Sequence, residues 1–290
     1  MARNFGYEWG RIMMYIPKVA VLFGFGINCD HETAAVFDMV GGNSTRVHLN
    51  SFISGSDSLD NYDILAVPGG FSFGDHLGSG RLMGNRMRFS LRDELTKFIA
   101  AGKPIIGICN GFQVLVKTGL LPGPGGNVPD FVQRASLTLN DSGRYEDRWV
   151  SLEFNQYSNC IWTKGMSRID CPVRHGEGKY VMPDRENLTK LAANNQIAVR
   201  YIDPDSTDAD PDVVLPFPKS PNGSMMNIAG ISDNTGLVFG LMPHPEAIYA
   251  QWLHPDYTRG TAPVTASDIE WEGQGLQIFR NAVEYVIANN

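Results

Sequence analysis

Pro104-Ile105-Ile106-Gly107-Ile108-Cys109-Asn110-Gly111-Phe112-Gln113 changes character at its centre: an apolar run of strand length ends at Ile108, and a helical pattern begins at Asn110. A cysteine stands at the joint, with Gly107 and Gly111 on either side. Strand, sharp turn and helix in this order form a βα unit and, with a nucleophile at the turn, the cysteine version of a nucleophile elbow. Such a turn puts the nucleophile in a strained backbone position, and the flanking glycines remove side chains that would collide with it. The helix aims its first N–H groups and positive dipole end at the sulfur. That predicts a lowered thiol pKa and makes the N–H of Asn110 a candidate oxyanion donor. A buried cysteine between two packing glycines would read the same, so a partner base has to decide.

Met242-Pro243-His244-Pro245-Glu246 offers that base directly after another expected strand. Read as an extended segment stiffened by its prolines, it turns His244 and Glu246 to the same side, two residues apart. Glu246 would then fix the imidazole's orientation while His244 moves the proton. A capped turn is the better reading of His-Pro-Glu alone; joined to the elbow, a Cys109–His244–Glu246 triad is the better reading. A third piece, Pro68-Gly69-Gly70-Phe71-Ser72-Phe73-Gly74-Asp75, follows an apolar strand whose carboxyl end is where open α/β sheets bind ligands. Gly70 is a candidate second oxyanion donor there, unless the glycines only permit a tight turn.

Outward from these motifs, strands and helices alternate. Strands are expected at Lys18–Phe23, Thr45–Leu49, Tyr62–Val67 and Pro104–Ile108, with helices over His31–Met39 and Met87–Ala101. This spacing predicts a parallel sheet covered by helices on both faces. Beyond Leu121, shorter alternating runs at Arg148–Phe154, Pro172–His175 and Lys179–Met182 predict an antiparallel extension. A helix over Arg185–Asn194, a hairpin of Met226–Ile231 with Leu237–Met242, and a closing helix over Gly273–Ala288 complete the reading. No repeat or linker interrupts it, so residues 18–290 are expected to be one domain behind an extension of residues 1–17. Asp203–Pro221 and Trp252–Gly273 are irregular and longer than ordinary loops.

The chain has 290 residues, 43% apolar and 19% charged, against a usual charged share of about 25%, which argues against disorder and for a surface sparse in charge. A net charge of −7 disfavours nucleic acid or an anionic membrane as the main partner. Cys29, Cys109, Cys160 and Cys171 are too few for a disulfide framework and show no zinc-like spacing, so no metal site is assigned and a cytoplasmic chain with reduced thiols is expected. No stretch approaches the ~20 uninterrupted apolar residues of a membrane span.

The G-x-C-x-G-x-Q elbow, the upstream P-G-G-F-S-x-G-D and the downstream M-P-H-P-E, in this order, resemble the class I, or triad, glutamine amidotransferases. Phe25–Asp30, Arg174–Tyr180 and Pro221–Ser224 are similar to segments of the glutaminase components of phosphoribosylformylglycinamidine synthases, enzymes of purine biosynthesis. The resemblance runs from about Lys18 to Ile287. It implies a flavodoxin-like, open, mostly parallel α/β sheet flanked by helices with an antiparallel extension. It further implies that Cys109 attacks the side-chain amide of glutamine, that His244 is the acid–base and that Glu246 orients it. Gly70 and Asn110 would supply oxyanion N–H groups, Gln113 would contact the glutamyl moiety, and His175 and Glu177 would support the site from a loop, an exposed turn being the alternative for that pair. The ammonia would pass to a large ATP- and magnesium-dependent synthetase subunit, with a small third subunit in such assemblies. This chain itself would carry no cofactor. The stretch Leu77–Gly84 and Ala247 depart from the commonest residues of such enzymes, and the insertion around Asp203–Pro221 is long, which bears on docking more than on chemistry.

Other readings are weaker. Gly24-x-Gly26 opens a dinucleotide-type fingerprint, but Cys29 occupies its third glycine position. A calcium-loop register starting at Asp203 puts Asp208 where glycine is required and Val214 where the bidentate glutamate belongs. A cysteine hydrolase for another amide, and a non-catalytic subunit that has kept the fold, are the remaining rivals.

Overall fold

The computed structural model describes residues 15–126, 128–206, 210, 212–259 and 272–290. Most of the expected extension 1–17 lies outside them, as do Asp208 and much of Trp252–Gly273.

The first half of the chain alternates β1 (Lys18–Phe23), α1 (Asp30–Met39), β2 (Asn43–His48), a short α2 (Leu49–Ser54), β3 (Ile64–Val67), α3 (Arg81–Ser90), α4 (Arg92–Ala100), β4 (Ile105–Ile108) and α5 (Asn110–Thr118). The second half is richer in strands: β5 (Ser136–Thr138), β6 (Glu146–Phe154), β7 (Arg168–His175), β8 (Lys179–Val181), α6 (Arg185–Ala193), β9 (Ile197–Ile202), β10 (Ile228–Ser232), β11 (Val238–Leu241) and α7 (Leu276–Ala288). One sheet takes nine of these strands in the order β2-β1-β3-β4-β11-β10-β9-β6-β7, and β5 pairs with β8 in a separate ribbon. From β2 to β11 every pairing is parallel. From β11 to β7 every pairing is antiparallel. By direction, only β6 and β10 run against the rest, so the sheet is mostly parallel with an antiparallel extension, as expected.

The parallel strands are apolar on both faces because helices cover both: every residue of β3, β4 and β11 is buried. On β6 and β7 buried positions alternate with partly exposed ones, the signature of a sheet with one wet face. Two glycines decide how closely the elbow helix lies on the sheet. Gly107 and Gly240 are partners in the β4–β11 register. A side-chain carbon on Gly240 would sit 2.3 Å from the Phe112 ring, and one on Gly107 2.6 Å from the Gly111 carbonyl oxygen, so the bare pair seats α5 directly on the strands. Elsewhere α7 packs on α1, where the Phe37 and Phe279 rings meet edge to face at 5.0 Å.

Several elements differ from the sequence reading. The helix expected over Met87–Ala101 is two helices that break at the buried Leu91, with no proline or glycine to announce it. Leu49 starts α2 instead of ending β2, because the His48 side chain accepts a hydrogen bond from Asn50 N and caps a new helical turn. Two strands have no counterpart in the sequence reading: β9, which joins the hairpin to β6, and β5, which pairs with β8.

Candidate functional site

The carboxyl ends of β1, β3, β4 and β11 lie side by side in the sheet and deliver the loops that carry Cys29, Gly70, Cys109 and His244. Cys109 has φ 51° and ψ −105°, a strained conformation for a residue with a side chain, at the N-cap of α5. Close packing enforces it: a side-chain carbon on Gly111 would lie 1.7 Å from the Val67 carbonyl oxygen, so α5 starts hard against β3. The Cys109 thiol is 5% exposed and donates to the Arg174 carbonyl at 3.5 Å.

His244 caps a 3-10 turn over Pro245–Ile248, with Pro245 at its first position. The pair expected from an extended segment therefore forms through a turn. His244 Nδ1 and Glu246 Oε1 are 2.6 Å apart, and both side chains are buried. Burial alone would lower the His244 pKa; the Glu246 carboxylate, with Cys109 and Cys29 beside the ring, reverses that and holds it well above the usual histidine value. Nδ1 is committed to Glu246, while Nε2 has no hydrogen-bond partner among the described residues.

Gly70 has φ 148°, and a side-chain carbon there would lie 2.6 Å from Ile27 Cα, so only glycine fits. The hydrogen bonds from Phe71 N to Gly26 O and from Asn28 N to Gly69 O flank it. Among the described residues the N–H groups of Gly70 and Asn110 have no acceptor. The Asn110 side chain ties the two motifs together, accepting from Ser72 N at 3.1 Å and donating to Gln113 Oε1 at 2.8 Å.

The wall opposite comes from the antiparallel half. β7 stands four places from β11 in the sheet order, yet Pro172 O accepts from His244 N at 2.9 Å, because this half folds back over the carboxyl edge. Cys109, Gly70 and Gln113 line a cavity of about 160 Å³ with Tyr145, Arg174, His175 and Glu177. A larger cleft of about 310 Å³ between Trp149 and His254 holds no cysteine, and its cations Arg148 and Lys219 are already paired with carboxylates.

Gln113 lines the cavity, but both ends of its amide are engaged: Oε1 accepts from Asn110, and Nε2 donates to Glu177 O at 2.7 Å. It fastens the opposite loop to the elbow helix. Glu177 also reaches back, accepting from Ser79 N at 3.2 Å. His175 is 2% exposed, with Nδ1 3.1 Å from Asn140 Oδ1. Burial, reinforced by the nearby His244 charge, pushes its pKa down to about 4, so it is neutral at physiological pH. The Pro221–Ser224 motif serves the same loop, since Asn222 donates to Gly178 O and Ser224 Oγ accepts from Tyr180 N. The sequence reading missed the cavity positions of Asp75, Tyr145 and Arg174. Asp75 and Arg174 stood inside quoted motifs; Tyr145 carried no local signal. Burial raises the Asp75 carboxyl, and Glu177 adds to it.

In the acidic stretch, Asp203 and Asp205 are engaged by Lys219 at 2.6 and 3.1 Å, which leaves them structural rather than cation-binding. Gly26, from the dinucleotide-like pair, lies where a side-chain carbon would be 2.4 Å from Phe71 O; it lets two site loops meet.

Comparison with known proteins adds an independent line. Residues 16–286 match the family of CobB/CobQ-like glutamine amidotransferase domains. A phosphoribosylformylglycinamidine synthase subunit PurQ from Methanococcus maripaludis is 42% identical over 274 residues, covering 93% of this chain and 97% of that one. A subunit of the same name from Dehalococcoides mccartyi is 42% identical over 268 residues, covering 92% and 97%. Among solved structures, a chain of PurLQS from Thermotoga maritima aligns with a TM-score of 0.65 at 28% identity, covering 93% of this chain and 99% of its own.

Proposed function

We infer the reaction from membership and geometry together: the chain belongs to the CobB/CobQ-like glutamine amidotransferase domain family and, within it, to the PurQ subunits of phosphoribosylformylglycinamidine synthase. It is the glutaminase subunit of that synthase, in purine biosynthesis, and works beside the other components of a PurLQS assembly: a large synthetase subunit and a small third subunit.

The observation that carries the catalytic assignment is the convergence, at one sheet edge, of a strained cysteine, a buried His–Glu pair and two unpaired N–H groups. Cys109 attacks the side-chain amide carbon of glutamine, and the N–H groups of Gly70 and Asn110 meet the oxyanion that forms. His244 takes the proton that Cys109 sheds and passes it to the leaving ammonia. Glu246 holds the imidazole through Nδ1 and stabilises its charged form. A γ-glutamyl thioester remains on Cys109, and water activated by His244 releases glutamate. Gln113, Glu177 and His175 build the far wall of the pocket. Nothing in these steps calls for a cofactor on this chain; ATP and magnesium are used on the synthetase.

The test is ammonia release from glutamine by the purified chain with and without its synthetase, comparing wild type with Cys109→Ala. The variant should lose at least about three orders of magnitude in turnover. Near-wild-type turnover would refute the assignment. Synthetase should raise the wild-type rate.

A further inference from the structure

The catalytic scheme leaves one thiol of the site unused. Cys29, half-buried at the end of the β1 loop, places its Sγ, an imidazole nitrogen of His244 and a carboxylate oxygen of Glu246 all within 4.8 Å of one another. Cys109 borders the same point: a side-chain carbon on Gly69 would lie 2.8 Å from His244 Cε1, 3.3 Å from Cys29 Sγ and 3.5 Å from Cys109 Cβ. Two polar atoms of the cluster, His244 Nε2 and Glu246 Oε2, are buried without a partner among the described residues. Burial raises the Cys29 thiol pKa.

A thiol, an imidazole and a carboxylate are the donors of a tetrahedral zinc-type site with an open fourth position. To reach the ~3.5 Å edge of such a site the 2.6 Å contact between His244 and Glu246 opens, and Cys29 Sγ, within 4.8 Å of both side chains, closes on them. A thiolate and a carboxylate together neutralise a divalent ion.

We propose that Cys29, His244 and Glu246 form an inhibitory site for a thiophilic divalent cation of the zinc class, which binds in place of the protons on the catalytic base and on Cys29. Binding releases those protons and removes His244 from proton transfer. Cys109 is available for the fourth position, so the cation also masks the nucleophile. The inhibitory consequence rests on the glutaminase reading; the binding itself rests on the donor cluster alone.

The experiment titrates the full chain with Co²⁺ as a spectroscopic probe and with Zn²⁺ as inhibitor. Wild type should bind one Co²⁺ with thiolate-to-cobalt charge-transfer absorption. Cys109→Ala should keep a thiolate band, whereas Cys29→Ser should weaken binding at least about tenfold, no less than the loss of an outer metal contact. Zn²⁺ should abolish ammonia release from glutamine in wild type, a chelator should restore it, and half-inhibition of Cys29→Ser should need at least about ten times more metal. Cys29→Ala repeats the comparison if the serine variant misfolds. Equal sensitivity of wild type and both Cys29 variants, a band that vanishes only in Cys109→Ala, or no band at all would overturn the proposal. Absence of ammonia release before any metal is added would instead refute the glutaminase reading, and the cobalt titration would still decide the site.

Discussion

The parallel and antiparallel halves of the sheet each bring a buried histidine to the same site, and the two histidines carry opposite electrostatic settings. His244, after a parallel strand, has a carboxylate 2.6 Å from Nδ1, which favours its charged form and raises its pKa against burial. His175, at the end of an antiparallel strand, has the neutral amide oxygen of Asn140 at 3.1 Å and is held neutral. Burial acts on both alike, so the partner on Nδ1 separates an acid–base from a wall residue. The parallel edge supplies the reacting groups, and the antiparallel half encloses them.

Replacing each histidine by asparagine should widen this contrast most. His244→Asn is expected to cost about 10²–10⁴ in glutamine turnover, the scale of positioned proton transfer, while His175→Asn costs less than about tenfold. Comparable losses at both positions would break the distinction.

A smaller effect separates the two in stability. Folded His175 stays neutral down to about pH 4, whereas in the unfolded chain it takes a proton near 6.5. Between those values the unfolded chain binds more protons, so stability falls as pH drops, by about 3 kcal/mol from this residue. Denaturant unfolding at several pH values should therefore show a shallower acid loss in His175→Asn than in wild type. The contribution of His244 has the opposite sign: it is complete at low pH and fades as pH rises through its own raised pKa.

Packing gives the third test. Gly111→Ala drives a methyl into the Val67 backbone and should cost about 1–3 kcal/mol. In the enclosing half, Gly178→Ala meets a side-chain ring first, that of His175 at 2.3 Å, in place of backbone, and should cost less, as read from melting midpoints. The smallest effect is expected at Phe89, 75% exposed on α3, where Phe89→Ser should change stability by no more than about 0.5 kcal/mol.

How much of this was legible in the sequence follows the same division. β1, β4, the elbow and His-Pro-Glu are local signals: an apolar run buried on both faces, a cysteine between glycines, a histidine between prolines. Each could be read within about ten residues. The enclosing wall is not local. Asn140 meets His175 across 35 residues, and β7 reaches His244 only because the antiparallel half folds back over the sheet edge. For the same reason the sequence gives no sign that Gln113, which lines the cavity, also fastens the opposite loop through Asn110 and Glu177. The break at Leu91 leaves no mark in the sequence, because both helices bury the same kind of apolar stripe. Cys29, the one other cysteine expected near the site edge, lies beside His244 and Glu246.

The central claim is that Cys109 is the sulfur that bonds to glutamine. Intact-mass and peptide mapping after reaction with a glutamine analogue bearing a γ-haloketone would test it most directly. One adduct per chain on Cys109, prevented by excess glutamine and absent in Cys109→Ala, is the predicted result. An adduct on Cys29 with Cys109 left free would contradict it.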